Sequence, residues 1–235
     1  MSADGLPDEG KTACYRPWTL FLEFDLYLPD GIILPPMDFG RDGHMEELVR
    51  GLFAESAMII GQAGQHLAGR ILDAVELILS SYKSGGGVLV FGNGGSAADA
   101  QHIVGELVGR LMFDRPPLKA QALSTNTSSL TCLANDYNYE SVFARQIEAN
   151  GTDKDVAIAL STSGNSANVV AGLAKAREVG MRTIALTGPG GGKCAELAEV
   201  LLDVPQADTS PRIQEAHAVI YHVICQLVEE KAFGE

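Results

Sequence analysis

GGGVLVFGNGGSAADAQHIV, residues Gly85–Val104, decides the fold. Gly85-Gly86-Gly87 stops a preceding helical pattern. Val88-Leu89-Val90-Phe91 is a short, wholly apolar run, the signature of a strand buried on both faces. Gly92-Asn93-Gly94-Gly95-Ser96 then turns the chain into a helix near Ser96–Leu111. Buried strand, glycine-rich turn and helix in that order open a βαβ unit.

The same alternation continues toward the C-terminus. Ala120–Leu123 reads as a second strand and Val156–Leu160 as a third, followed by Ser161–Ser166 and a helix through Val179. Thr183–Leu186 and Val200–Val204 are the fourth and fifth strands. Pro211 then opens a long helix to about Lys231, at a position suited to a first helical turn. The class is therefore α/β: a doubly wound, mostly parallel five-stranded sheet flanked by helices. Ligands in such sheets bind beyond the carboxyl ends of the strands, where Gly92–Ser96 and Ser161–Ser166 both fall.

Toward the N-terminus, Met45, Leu48, Leu52 and Ile59 recur at helical spacing, and a second periodic segment runs from Leu67 to Tyr82. These predict two N-terminal helices. Residues 1–44 differ in character, holding five of the ten prolines and the single tryptophan, Trp18. They are expected to be an extension, either peripheral and poorly ordered or an arm for subunit contact, ahead of a domain spanning 45–235.

Bulk properties narrow the function. A chain of 235 residues with 46% hydrophobic residues can bury a sizeable core. Its net charge of −13 disfavours nucleic acid but leaves small phosphates open, because backbone N–H groups can hold them. Cys14, Cys132, Cys194 and Cys225 form no C-x-x-C element, so they are expected as reduced, buried or half-buried thiols. With no bilayer-length apolar run and no signal-peptide pattern at its start, the chain is expected in the cytoplasm.

Three glycine or hydroxyl clusters could carry chemistry. Gly92-Asn93-Gly94-Gly95-Ser96-Ala97 formally matches G-x-G-x-x-A, but a dinucleotide site needs an acid at the end of the second strand. Here that strand ends Leu123-Ser124-Thr125, and Asp114 precedes it. Backbone approach to a small anion or polyol, with Asn93, Gly94, Gly95 and Ser96 lining it, is the better reading. Ser161-Thr162-Ser163-Gly164-Asn165-Ser166 between a strand and a helix is a phosphate cradle that needs no cationic side chain. Gly188–Cys194 resembles a P-loop only superficially, because Thr187 and Cys194 stand where glycine and Ser/Thr are required. It is expected to be a flexible turn.

Two helical clusters complete the set. His102 and Glu106, four apart, share a helix face, and Gln214, His217 and His222 lie on the last helix. A helical histidine is often structural, but a His–Glu pair behind a glycine-rich site is also a functional candidate.

Together FGNGGSAADAQHIVGELVGR (Phe91–Arg110), LSTNTSSLTCLANDY (Leu123–Tyr137), STSGNSANV (Ser161–Val169) and PRIQEAHAVIYHVI (Pro211–Ile224) resemble the phosphoheptose isomerases of the SIS, or sugar isomerase, family. The resemblance runs from about Met45 to Lys231. It implies the SIS fold, conversion of sedoheptulose 7-phosphate to D-glycero-D-manno-heptose 7-phosphate, and a homotetramer with active sites at subunit interfaces. It further implies that Ser96, Ser161, Ser163 and Ser166 hold the phosphate. Asn93 and Asp136 would contact sugar hydroxyls, Arg110 would line the pocket, and His102, Glu106, Gln214 and His222 would bind a divalent metal, typically zinc. Thr209 is a further possible substrate contact. The alternatives are a SIS-fold regulatory tetramer that binds a protein and an isomerase of another sugar phosphate.

Such an isomerisation passes through an enediol or enediolate and needs a base at C1–C2, an acid for the carbonyl oxygen and oxyanion stabilisation. Glu106 is the candidate base and His222 the candidate acid, although a Glu bound tightly to metal is a poorer base. Gln214 and His222 are eight residues apart, roughly 12 Å along a straight helix, too far to share one ion comfortably. Gln214 is therefore expected either in an irregular first turn or as a ligand from another subunit.

Overall fold

The computed structural model describes residues 43–234; the expectations for residues 1–42 lie outside the described residues. The chain divides at Arg50/Gly51. Of the first unit, only the opening turns of a helix are described, carrying an exposed Glu46–Arg50 ion pair.

Five strands, β1 (Val88–Gly92), β2 (Ala120–Ala122), β3 (Val156–Ser161), β4 (Arg182–Thr187) and β5 (Val200–Asp203), pair in parallel in the order β2-β1-β3-β4-β5. Register runs through Val90↔Ile158 and Ile158↔Ile184 at the centre. Every residue of β1 and β3 is buried, as their unbroken apolar runs require.

Period-two alternation splits the sheet into two cores. Val88, Val90, Ile158, Leu160, Ile184 and Leu186 face α1 (Gly43–Lys83), α2 (Gly95–Val108) and α6 (Ser210–Phe233). Leu89, Phe91, Ala157, Ala159 and Ala185 face α4 (Val142–Asn150) and α5 (Ala167–Val179), with α3 (Thr127–Asp136) beside them. Gly172 lets α5 approach closely: a Cβ there would stand 2.7 Å from the Phe91 ring.

The expected N-terminal helical character holds, with one amendment to the number of helices. The N-terminal periodic segments are one 41-residue helix, α1. Gly61, Gly64 and Gly69 each weaken it by about 1 kcal/mol relative to alanine. The buried stripe Ile59, Ala63, Leu67, Ile71, Ala74 and Ile78 runs through them and outweighs that cost. Helices α3 and α4 were not read from the sequence at all. Asn126 caps α3 through its side chain, which accepts from Ser129 N at 3.0 Å.

The loop after α2 is pinned by a buried charge. The Glu229 carboxylate on α6 accepts from Leu111 N, Met112 N and Arg115 Nε at 3.0, 2.7 and 3.0 Å. The side chains of Arg115 and Glu229 are both fully buried. Burial alone would raise the Glu229 carboxyl, but these donors outweigh it and hold the group below its ordinary value.

Candidate active site

Between β1 and β3 the strand order reverses direction, so the loops after these strands diverge and leave a crevice at the sheet's carboxyl edge. Both glycine/hydroxyl loops named from the sequence open there.

On the β3 side, Ser161 ends the strand and Ser166 caps α5. Their hydroxyl oxygens lie 3.1 Å apart. Ser163 Oγ accepts from Asn165 N at 3.1 Å, which curls the loop, and Thr162 Oγ1 lies 3.2 Å from Ser210 Oγ at the start of α6. The first N–H groups of α5 are free of intrahelical partners, so hydroxyls and helix terminus together suit an anion.

The third glycine cluster corrects another expectation, for it is a brace and not a loose turn. Cys194 N donates to Gly164 O at 3.0 Å, Gly188 N to Thr162 O at 2.9 Å and Lys193 N to Asn165 Oδ1 at 3.1 Å. A Cβ on Gly164, whose φ is +62°, would stand 2.1 Å from Gly191 O. Only glycine permits this approach of backbone to backbone.

On the β1 side, Asn93 forms a reciprocal amide pair with buried Asn168 on α5, Nδ2 to Oδ1 at 2.8 Å and the return bond at 2.9 Å. Tyr139 Oη donates to the same Asn93 Oδ1 at 3.0 Å. That uses both acceptor positions of Asn93 and leaves one N–H to offer outward. Gly94 caps α2, Ser96 is buried in its first turn, and Gly95 lies under the Gln214 carboxamide. Arg110 is exposed just beyond α2, and Asp136 is exposed at the end of α3. Hydrogen bonds from Asn135 and Cys132 hold the Asp136 carboxyl below its usual range.

The imidazole cluster lies further along α2. His102, Glu106 and His222 bring one ligand atom each within 4.8 Å of one another. His102 Nε2 is 3.0 Å from Glu106 Oε1, and the two imidazole rings stand edge to face at 4.8 Å. His222 Nδ1 is 2.6 Å from Ala218 O. A carbonyl only accepts, so Nδ1 carries the proton and neutral His222 presents a bare Nε2. Two imidazoles and a carboxylate form a mixed N/O donor set that suits zinc.

Gln214 is not among the three. Helix α6 is regular from Ser210, so the irregular first turn does not occur, and Gln214 sits two turns before His222 against the other loop. Glu106 likewise follows Ser96 by ten residues, roughly 15 Å along α2. One chain therefore holds the anion loops at one end of α2 and the imidazole cluster toward the other.

His217, also singled out from the sequence, is wholly buried. Its Nε2 donates to Thr187 O at 3.1 Å and its Nδ1 has no partner among the described residues, so it secures the end of β4. Burial lowers its pKa to about 4, against the opposing pull of the Thr187 carbonyl. Three groups at the site were missed from the sequence: Asn168, Tyr139 and Tyr221. Tyr221 Oη lies 3.0 Å from His102 Nδ1. Only its place beside His222 gave a sequence signal for it.

A profile of the SIS domain matches residues 52–188. A phosphoheptose isomerase of Aquifex aeolicus (strain VF5) is 51% identical over 186 residues, covering 79% of this chain and 97% of that protein. The structure of a phosphoheptose isomerase from Neisseria gonorrhoeae superposes with a TM-score of 0.74 at 42% identity, over 79% of this chain and 99% of that one. One from Francisella tularensis gives 0.76 at 32% identity, over 79% and 98%.

Proposed function

The chain belongs to the SIS domain family, among its phosphoheptose isomerases, and from that premise we propose that it converts sedoheptulose 7-phosphate to D-glycero-D-manno-heptose 7-phosphate. The observation that carries the reading is the pairing of a hydroxyl-lined anion cradle with a separate carboxylate–imidazole cluster.

Ser96, Ser161, Ser163, Ser166 and the N-terminus of α5 bind the phosphate, with Thr162 completing the loop. Asn93 and Asp136 orient sugar hydroxyls, Arg110 lines the pocket, and Gly94 and Gly95 let the backbone approach. Glu106 takes the proton from one of the two reacting carbons and returns it to the other. His222, with Nδ1–H held by Ala218 O, would act as the acid only as an imidazolium that carries a second proton on Nε2, a role exclusive of binding an ion through that nitrogen. The Glu106 side chain is largely shielded and that of His102 half exposed, an arrangement open to substrate. His102, Glu106 and His222 would hold a divalent ion such as zinc, with Gln214 as a further ligand from another copy. When bound, the ion supplies Lewis acidity at the carbonyl.

The separation along α2 is bridged if a neighbouring copy brings its imidazole cluster to this chain's anion loops, as in a homotetramer with sites at subunit interfaces. An apolar groove of about 280 Å³ between α1 and α6, lined by Ile60, Ala63, Leu72, Val219, Val223 and Leu227, supports such an assembly. Phe53, Met58 and Leu72 expose large apolar side chains on α1. None of the helices among the described residues is long and apolar enough to cross a membrane. Cys132, Cys194 and Cys225 are free thiols, in keeping with a cytoplasmic enzyme.

The test is turnover of sedoheptulose 7-phosphate by the full chain. Isomerisation by wild type, lost by 10²- to 10⁴-fold on the order of magnitude in Glu106→Gln and His222→Ala with the fold intact, supports the reading. No turnover of this substrate, with or without zinc, refutes it.

A further inference from the structure

We propose that Asn168 and Tyr139 are positioning residues for Asn93: together they fix its carboxamide in one orientation, so that it meets a sugar only as an N–H donor. The inference rests on reading the carboxyl edge of the sheet as a sugar-phosphate site.

Asn93 is the first residue beyond β1, and Asn168 lies in the first turn of α5, the helix that follows the neighbouring strand β3. Asn168 is 3% exposed. A carboxamide so enclosed needs its hydrogen bonds made inside the protein, and the reciprocal pair with Asn93 uses a donor and an acceptor on each side. Tyr139 is placed differently. It is 53% exposed and belongs to neither hydrophobic core, so burial does not explain its position. Its single 3₁₀ turn, Tyr139–Ser141, is closed by Asn138, whose Oδ1 accepts from Ser141 N at 2.8 Å. Buried Val142 and Phe143 anchor the chain directly after it. What this turn brings to Asn93 is a hydroxyl, 3.0 Å from Oδ1.

The terminal torsion of asparagine is close to two-fold, because its oxygen and NH₂ halves differ little in shape. The pair with Asn168 does not remove that freedom, since it survives when both carboxamides turn over together. Tyr139 does remove it. A phenol gives its proton more readily than it accepts one, because its oxygen lone pair is drawn into the ring. It therefore selects the orientation in which Asn93 Oδ1 faces it. Both lone pairs of that oxygen are then used, by Tyr139 and by Asn168, and one N–H of Asn93 is left for ligand. An ionised Asp136 offers the opposite, acceptor oxygens alone. A donor-only and an acceptor-only group match the two roles of a sugar hydroxyl.

The test reads the carboxamide directly. The full-length protein, labelled with ¹⁵N in its asparagine side chains, gives Asn93 signals identified by their loss in Asn93→Ala. Wild type is expected to show one Asn93 NH₂ pair, in close contact with that of Asn168. Tyr139→Phe, which keeps the ring, should shift or double the Asn93 pair with little change in melting temperature. Asn168→Asp, which sets an acceptor against Asn93 Oδ1, should shift it as well. Tyr139→Phe should also raise KM for sedoheptulose 7-phosphate by about 3- to 10-fold, the worth of one hydrogen bond, while inorganic phosphate competes as strongly as in wild type. In an Asn93→Ala background the same substitution should have no effect on KM. Two Asn93 orientations in the wild type, an Asn93 pair unmoved in Tyr139→Phe, or an equal rise in KM without Asn93 overturns the proposal. The spectra use no substrate, so an absence of turnover beside the expected spectral change would count against the proposed reaction and leave the positioning role standing.

Discussion

The carboxamide of Gln214 rests on the backbone of Gly95: a Cβ at Gly95 would lie 2.6 Å from Gln214 Nε2 and 2.9 Å from Oε1. The first turn of α2 and the second turn of α6 are thus fitted to each other through a position that has no side chain. Gly95→Ala should displace Gln214 while leaving both helices formed. The expected result is a fall in kcat/KM for sedoheptulose 7-phosphate of about 10²-fold with an unchanged circular dichroism spectrum. Full activity in Gly95→Ala would show that Gln214 has no part in the site.

The anion loop should act on affinity before it acts on rate. Single Ser161→Ala, Ser163→Ala and Ser166→Ala substitutions each remove one hydroxyl and are expected to raise KM, by roughly 10-fold for a net loss near 1.4 kcal/mol. Inorganic phosphate should compete with substrate in the wild type and compete more weakly in each variant. A loss confined to kcat would assign these hydroxyls to the reacting carbons instead.

If neighbouring copies complete each site, two impaired variants can rescue each other. Glu106→Gln damages the imidazole cluster, and the double variant Ser161→Ala/Ser163→Ala damages the anion loop. Subunits mixed by joint refolding should regain activity in roughly a quarter of sites, where an intact loop meets an intact cluster from another copy. No recovery on mixing, with mixed oligomers demonstrated, would place both halves of the site on one chain.

Two buried groups set separate windows of acid sensitivity. Burial lowers His217 to about 4 from its ordinary 6.5, so the unfolded chain takes up a proton that the folded one refuses. Stability present above pH 6.5 should therefore decline as pH falls toward 4. Glu229 is held below its ordinary 4.5 by its donors, so its contribution is lost only as pH falls from 4.5 through that lower value. Urea denaturation across pH should show a flatter upper window in His217→Gln and a flatter lower window in Glu229→Gln. Glu229→Ala, which strands Arg115, should cost about 3–5 kcal/mol.

What was legible in the sequence was what repeats or alternates. The central strands read as short apolar runs because β1, β3 and all of β4 but Arg182 are buried. Their ends also fixed where the two ligand loops would lie. The helices α3 and α4 were not legible, since α3 has no buried residue and α4 only four, too few for a clear stripe. Tyr221 could not be assigned a role because its hydroxyl meets His102 on a different helix. Likewise, nothing local in GPGGGKC announces that it props the loop after β3. The offset between Ser96 and Glu106 was computable from helix rise alone, but its bearing on assembly needed the two clusters placed on the folded chain.

The contact of Gly164 with Gly191 bears on any attempt to redesign the substrate range. Residues 161–166 and 188–194 are tied backbone to backbone, so neither can be exchanged alone for a segment from a relative. A methyl group at Gly191 would be felt in the proposed phosphate cradle, because it would meet Leu201 and Ala195 and shift the peptide beneath Gly164. A graft that ignores this would yield an enzyme with every anion-binding hydroxyl present and a misshapen cradle; moving both segments together is the smallest transplant that keeps it whole.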